Sequence, residues 1–202
     1  MGELRESKKR ETRQRISDIA TAMFFARGFE AVTVDEIAVA AKVSKVTVFN
    51  YFARKEELFL DREDDLKLVF FREALEQRTK GQAPIPVLLR VVDTLRAEKR
   101  AFARFDSLTA SWWRMVAASP SLQARMREIW DEATEGIAAA LAGHAPDSRA
   151  RLTAGLIVQT LRIAHSEAMR MFEEGGSTKK ATHLFVALVE RGFEAATKAY
   201  LD

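Results

Sequence analysis

The stretch TVDEIAVAAKVSKVTVFNYF, Thr33–Phe52, decides how this chain is read. Thr33 stands before Val34-Asp35-Glu36, and Glu36 falls three residues after it, which is the spacing of a capping box. Asp35 and Glu36 put negative charge in a first turn, where the helix dipole favours it. A short helix therefore runs to about Ala41. Ser44 caps a second one, from Lys45 to about Phe52. Ile37, Ala38, Ala41 and Val43 can face inward from the first helix and the turn, and Val48 and Phe52 add an inward stripe four residues apart. Ser44, Lys45, Thr47, Asn50 and Tyr51 are left outside, all able to hydrogen-bond. Two short helices across a tight turn suit a helix-turn-helix, in which the second helix lies in the major groove of DNA. Asn50, the only asparagine in the chain, can pair with an adenine edge; Thr can meet a thymine methyl or a phosphate, and Lys a guanine or a phosphate. A plain helical hairpin with a polar outside has the same pattern, and the residues alone leave both readings open.

Outward from this stretch nearly everything reads as helix. Ile16, Ile19, Ala20, Met23 and Phe24 form an apolar stripe ended by Gly28. A fourth helix is expected from Lys55 into the region of Thr79, before the break at Gly81–Pro86. Leu88, Val91, Val92 and Leu95 mark a fifth, and Phe102, Phe105, Leu108, Trp112 and Trp113 fall in the next segment, closed by Ser119-Pro120-Ser121. A long helix follows through Met126, Ile129, Trp130, Ile137 and Leu141. Beyond the loop at Gly143–Asp147 come two last helices, roughly 148–174 and 178–201, parted by Gly175-Gly176-Ser177. The expected fold is all-α: a three-helix DNA-binding domain over residues 1–54 with the helix-turn-helix, then a larger helical ligand-binding and dimerisation domain over 55–202.

Composition narrows the function classes. The 202 residues are 48% hydrophobic and 30% charged, with no cysteine, so disulfides, Cys-based zinc sites and thiol chemistry are excluded. No apolar run reaches the ~20 residues of a membrane-spanning helix. The charged start lacks the apolar core of a signal peptide, and Glu6 stands where a myristoylation motif at Gly2 needs Ser or Thr. A cytoplasmic protein without membrane partners is expected. The net charge of +3 is modest, but its placement is uneven. Residues 1–15 hold six bases against three acids, Lys42–Lys55 hold four bases and no acid, and Glu56–Asp65 hold six acids against one Arg. Local positive fields of this kind suit phosphate binding. His144, His165 and His183 are scattered, and no HExxH, GxSxG, Walker A or GxGxxG motif occurs. No enzyme activity, catalytic residue, metal site or cofactor is expected.

The segments Arg13–Phe29, Thr33–Ala38, Val43-Ser44-Lys45, Thr47–Phe52 and Lys55–Leu58 together resemble the N-terminal domain of the TetR/AcrR family of transcriptional regulators. The resemblance covers about the first 60 residues. It implies that Thr33 contacts a phosphate, that Lys45, Val46 and Thr47 lie nearest the bases with Ser44 beside them, that Phe49, Asn50 and Tyr51 touch the DNA backbone, and that Lys55 meets a phosphate. Three positions depart from the family pattern. Lys42 replaces the usual turn glycine, strains the backbone and adds a charge beside the DNA; Val46 replaces a common glycine; Phe49 lacks the hydroxyl of the usual tyrosine.

Leu184, Phe185, Leu188, Val189, Gly192, Phe193, Ala196 and Tyr200 give the last helix a ladder too wide for a helix with an exposed half. Intramolecular core accounts for part of it. The resemblance implies that the last two helices pair with their copies in a homodimer, through Leu161, Ala168, Phe185, Leu188, Val189, Gly192, Phe193 and Ala196. It also implies a pocket for a small-molecule effector in the helical body. Phe71, Phe105, Trp112, Trp113, Met126, Trp130, Met169 and Phe172 are candidate walls, with Arg162 and His165 as polar anchors, although core packing explains any one of them. The implied output is a ligand-responsive repressor on a palindromic operator. The alternatives are an activator of the same family and a helical protein-interaction module that binds no DNA.

Overall fold

The computed structural model describes residues 2–60, 66, 68–79, 81–143 and 145–201, and every regular element among them is helical. The helices are α1 (Gly2–Arg27), α2 (Val34–Ala40), α3 (Lys45–Tyr51), α4 (Lys55–Phe59), α5 (Val69–Glu76), α6 (Pro84–Ala97), α7 (Ser107–Ala118), α8 (Pro120–Ala142), α9 (Ser148–Glu173) and α10 (Thr178–Leu201), with a 3-10 turn at Ala101–Ala103. None is long and apolar enough to cross a membrane. Two compact units are present: Met1–Glu63 with Met115–Arg125, and Asp64–Arg114 with Met126–Asp202.

In the first unit, Ile16, Ala20 and Phe24 recur every four residues along α1 and are wholly buried, as a helix with one core-facing stripe requires. Gly28, at φ +85°, ends that helix with its amide bonded to the Phe24 carbonyl at 2.8 Å. Phe24, Phe29 and Phe59 form an aromatic knot with centroid separations of 4.9, 5.9 and 6.2 Å. Residues 115–125 belong here as well. Ser119, 2% exposed, caps α8 by accepting from the Leu122 amide at 3.2 Å, and donates its hydroxyl to Glu30 at 2.5 Å.

The continuous helix expected from Lys55 to Thr79 is corrected. α4 ends at Phe59, and Leu68 adopts φ +54°, ψ +38° before α5 starts at Val69. A non-glycine residue in that left-handed region cannot continue an α-helix. Residues 61–65 and 67 of the expected helix lie outside the described residues.

The second unit is built around α9 and α10, which pack along their lengths. Asp147 caps α9, accepting from the Ala150 amide at 2.8 Å. Gly192 of α10 faces Thr160 of α9 so closely that a Cβ there would stand 2.7 Å from the Thr160 Cβ and nearer still to its Oγ1 and Cγ2. This close helix approach is made within one chain.

Candidate nucleic-acid interface and aromatic cluster

The capping box at the start of α2 is complete. Thr33 Oγ1 accepts from the Glu36 amide at 3.2 Å, and Glu36 accepts from the Thr33 amide and hydroxyl at 2.8 Å each. Arg27 adds an ion pair to Glu36 at 2.8 Å. The Thr33 amide, Arg27 and the Thr33 hydroxyl together hold the Glu36 carboxyl down to about 2.

Between α2 and α3 the chain makes a Schellman turn. The Val43 amide bonds to the Ala38 carbonyl at 3.0 Å and the Lys42 amide to the Val39 carbonyl at 3.1 Å. Such a turn needs a left-handed residue at its apex, and Lys42 takes that place at φ +55°. The backbone demand that glycine meets without cost is met here by a lysine. Ser44 then caps α3, accepting from the Thr47 amide at 3.0 Å, with its hydroxyl 2.8 Å from that of Thr47.

Burial divides the two helices as the sequence pattern requires. Ile37, Ala38, Ala41, Val48 and Phe52 are buried and Val43 is half-buried. Lys42, Ser44, Lys45, Val46, Phe49 and Asn50 are exposed, Thr47 and Tyr51 partly so. Val46 is 69% and Phe49 43% exposed. Large apolar side chains open to water on a polar helix face invite a contact that removes them from it. The outer face of α3 therefore offers an ammonium, an amide, hydroxyls and two apolar surfaces, the set that matches base edges and thymine methyls.

Other partners were not legible from local spacing. Lys45 Nζ pairs with Asp35 at 2.8 Å, both side chains more than half exposed. Lys55, expected at a phosphate, holds its ammonium 4.3 Å from the centre of the Phe29 ring and 5.8 Å from that of Phe24. Arg13 lies over Phe52, the residue that ends α3, at 4.6 Å.

In the second unit an aromatic cluster surrounds His165. Its ring lies 4.7 Å from Trp113, 5.0 Å from Phe102 and 5.6 Å from Phe105. Phe102 meets Trp130 at 5.9 Å, and the Arg162 guanidinium stands 5.6 Å over Trp130. Of the expected pocket residues, this brings together Phe105, Trp113, Trp130, Arg162 and His165, with Trp112 edge-on to Trp113 at 4.8 Å. Phe71, Met126 and Met169 are buried, and Phe172 is half-buried. Phe185, expected at a subunit interface, packs instead on Phe105 and Phe102 at 5.7 and 6.3 Å. Leu161, Ala168, Val189, Phe193 and Ala196 are likewise buried within the single chain, while Leu188 and Gly192 are partly open. The stripe expected to pair two subunits is thus largely spent on intramolecular packing. Core and interface stripes share one helical period, so the sequence cannot separate them.

His165 is 4% exposed, and its Nδ1 lies 2.8 Å from the Phe102 carbonyl oxygen. A carbonyl only accepts, so Nδ1 carries the proton and Nε2 is left as an acceptor. Burial lowers the imidazole from its ordinary 6.5 to about 4, against the opposing bond to Phe102, and the ring is neutral at pH 7. Nε2 is buried with no hydrogen-bond partner among the described residues. Phe105 also lines a cavity of about 680 Å³, edged by Asp93, Arg96, Lys99, Arg104 and Asp106. Asp106 is already engaged: it caps α7 through the Thr109 amide at 2.9 Å and pairs with Arg104.

Residues 16–61 match the family described as bacterial regulatory proteins, tetR family. The HTH-type transcriptional regulator TcmR of Streptomyces glaucescens is 38% identical over 85 residues, 42% of this chain and 37% of that protein. A protein of Mycobacterium tuberculosis (strain ATCC 25618 / H37Rv) described as a mycofactocin biosynthesis transcriptional regulator, MftR, is 32% identical over 127 residues, 60% of each. The matches span 37% and 60% of the length of these two curated relatives. Among solved structures, that of the SmeT–triclosan complex shares the fold with a TM-score of 0.55 at 18% identity, over 92% of this chain and 91% of that one.

Proposed function

We propose that this chain, whose residues 16–61 match the tetR family of bacterial regulatory proteins, is a sequence-specific transcriptional regulator, a homodimeric repressor released from its operator by a small molecule. The observation that carries the reading is α3: a rigidly capped helix whose buried side is fixed by Val48 and whose outer side exposes Lys45, Val46, Phe49 and Asn50. Lys45 and Asn50 serve as hydrogen-bonding readers and Val46 as an apolar contact. The Lys45–Asp35 pair is no obstacle, because an exposed ion pair contributes only about 0–1 kcal/mol.

A homodimer presents two such helices about 34 Å apart on a palindromic site. Leu152 and Ile163 of α9 and Leu201 of α10, 59%, 48% and 74% exposed, give these two helices apolar surface beyond their mutual contact. The effector site is assigned to the cavity lined by Phe105. A molecule with an apolar part against Phe105 and polar or charged groups toward Asp93, Arg96, Lys99 and Arg104 suits it. Binding that favours a state with the reading helices out of register weakens DNA affinity, by about 1–3 kcal/mol of coupling in typical cases.

Selection of duplexes by the purified protein, followed by binding assays with Lys45→Ala and Asn50→Ala, tests the central claim. A recovered two-fold motif that loses specificity with these variants is the expected result. Recovery of no motif, or full specificity in both variants, rejects it. Light scattering that finds a monomer at micromolar concentration rejects the dimer.

A further inference from the structure

The six bases of residues 1–15 are not used by the reading helix, and α1 shows where part of them lies. The buried stripe of α1 is Ile16, Ala20 and Phe24, with Ser17 beside it. Residues three and four apart share one face of a helix. Followed back toward the N-terminus, the stripe passes through Arg13, three residues before Ile16, and then through Arg10 and Lys9, three and four residues before Arg13. Arg13 sits at 4.6 Å over Phe52, at the C-terminal end of α3. Lys9 and Arg10 are exposed and lie about 5–6 Å further along the helix axis, at 1.5 Å per residue. The acids Glu11 and Asp18 fall on the opposite side of the helix, and Glu6 marks the N-terminal limit of the basic stripe.

A seven-residue helix is roughly 10 Å long, close to the ~12 Å width of the major groove. Lying across the groove, it brings its two ends to the two phosphate walls. One of those ends is the Tyr51–Phe52 end, where the Arg13–Arg10–Lys9 stripe begins.

We propose that this N-terminal stretch of α1 is a second DNA-binding surface, with Lys9 and Arg10 binding backbone phosphates beside the groove read by α3 and Arg13 holding the stripe against α3. The inference rests on the DNA-reading function given above. The partner is duplex DNA, contacted without base specificity, and the effect is to widen the footprint and steepen the salt dependence of binding.

Anisotropy titrations of the full chain on a fluorescein-labelled mixed-sequence duplex, over a range of salt, measure the contribution directly. Each phosphate contact adds about 0.9 to the slope of log K against log salt. Lys9→Ala/Arg10→Ala should therefore lower the slope by about 2 per bound protomer, and Lys9→Glu/Arg10→Glu should lower it at least as much. Lys198→Ala, an exposed base on α10, should leave it unchanged. Phosphate-ethylation interference on a selected site should lose its outermost positions in the double variant and keep the base preferences of the core. Unchanged melting temperatures would show that the variants fold. A wild-type protein that binds no duplex overturns both this proposal and the function it rests on. A wild-type protein that binds, with double variants of the same slope and footprint, overturns the stripe alone.

Discussion

Gly192→Ala places one methyl group where α10 crosses α9. In an ordinary helix the change stabilises, since Ala exceeds Gly by about 1 kcal/mol in helix propensity. Here the new Cβ meets the Thr160 side chain. Rotation about χ1 of Thr160 can move Oγ1 and Cγ2 aside, but its Cβ is fixed to the backbone at 2.7 Å, whereas ordinary contact begins at 3.4 Å. The difference, 3.4 − 2.7 = 0.7 Å, has to come from separating the two helices. That separation loosens the packing of the neighbouring buried residues Leu161, Val189 and Phe193. Overpacking of this kind costs typically ~1–3 kcal/mol, and subtracting the propensity gain leaves a net loss of up to about 2 kcal/mol. For a chain of this size the melting temperature should fall by up to roughly 8 °C. Thr160→Gly, which removes every side-chain atom in the way, should restore the contact in the double variant, so that a double-mutant cycle shows favourable coupling. Thermal and urea unfolding of the four proteins gives the answer. A Gly192→Ala protein that melts above the wild-type temperature, or a cycle with no coupling, refutes the close-approach argument.

Lys42→Gly should stabilise the protein by up to about 1 kcal/mol in urea unfolding, because glycine adopts the left-handed Schellman position without the steric cost that lysine bears; a loss of stability would show that the turn is not strained. Asp35→Asn removes a negative charge from the side proposed to face DNA and frees Lys45, so duplex binding should strengthen several-fold at low salt while stability changes by under ~1 kcal/mol; weaker binding would mean that Asp35 orients Lys45 productively. His165 is neutral down to about 4 in the folded chain but takes a proton near 6.5 when unfolded. Stability should therefore fall as pH drops from about 6.5 to 4, by on the order of 3 kcal/mol, with no further loss from this group below that window. His165→Phe should remove this part of the pH dependence in urea unfolding, and an unaltered pH profile would contradict the burial argument. Glu36 acts lower on the scale: its contribution is complete above the ordinary carboxylate range and is lost as pH falls through about 2. Thr33→Val, which keeps the shape and removes the hydroxyl, should raise that lower limit.

Much of the first unit is written in local sequence. The Thr33–Glu36 box, the Ser44 cap and the Val48–Phe52 stripe all depend on residues three or four apart, and the structure forms each of them. Lys45–Asp35 spans ten residues and two helices, and Arg13–Phe52 spans most of the unit, so neither leaves a mark in local spacing. Lys55 was legible as a base at a helix start but not as a cation over Phe29, which requires the loop after α1 to fold back. In the second unit the sequence identified the aromatic and His165 components of the cluster but assigned Phe185 to an outer surface. An inward stripe and an interfacial stripe differ only in what covers them, and that is decided by distant helices.

Glu30 and Ser119 join residues 89 positions apart within one compact unit. The reading head is consequently not a contiguous cassette. A fragment that ends after α4 carries Glu30 without the hydroxyl donated to it, and leaves uncovered the surface on which residues 115–125 pack. The same holds for hybrids: fusing the first sixty residues onto another regulator's body transplants the reading helix but leaves behind one of its supports. Exchange of operator specificity between such proteins, whether by recombination or by design, should succeed by replacing side chains on α3 in place, or by moving the segment around Ser119 together with the head.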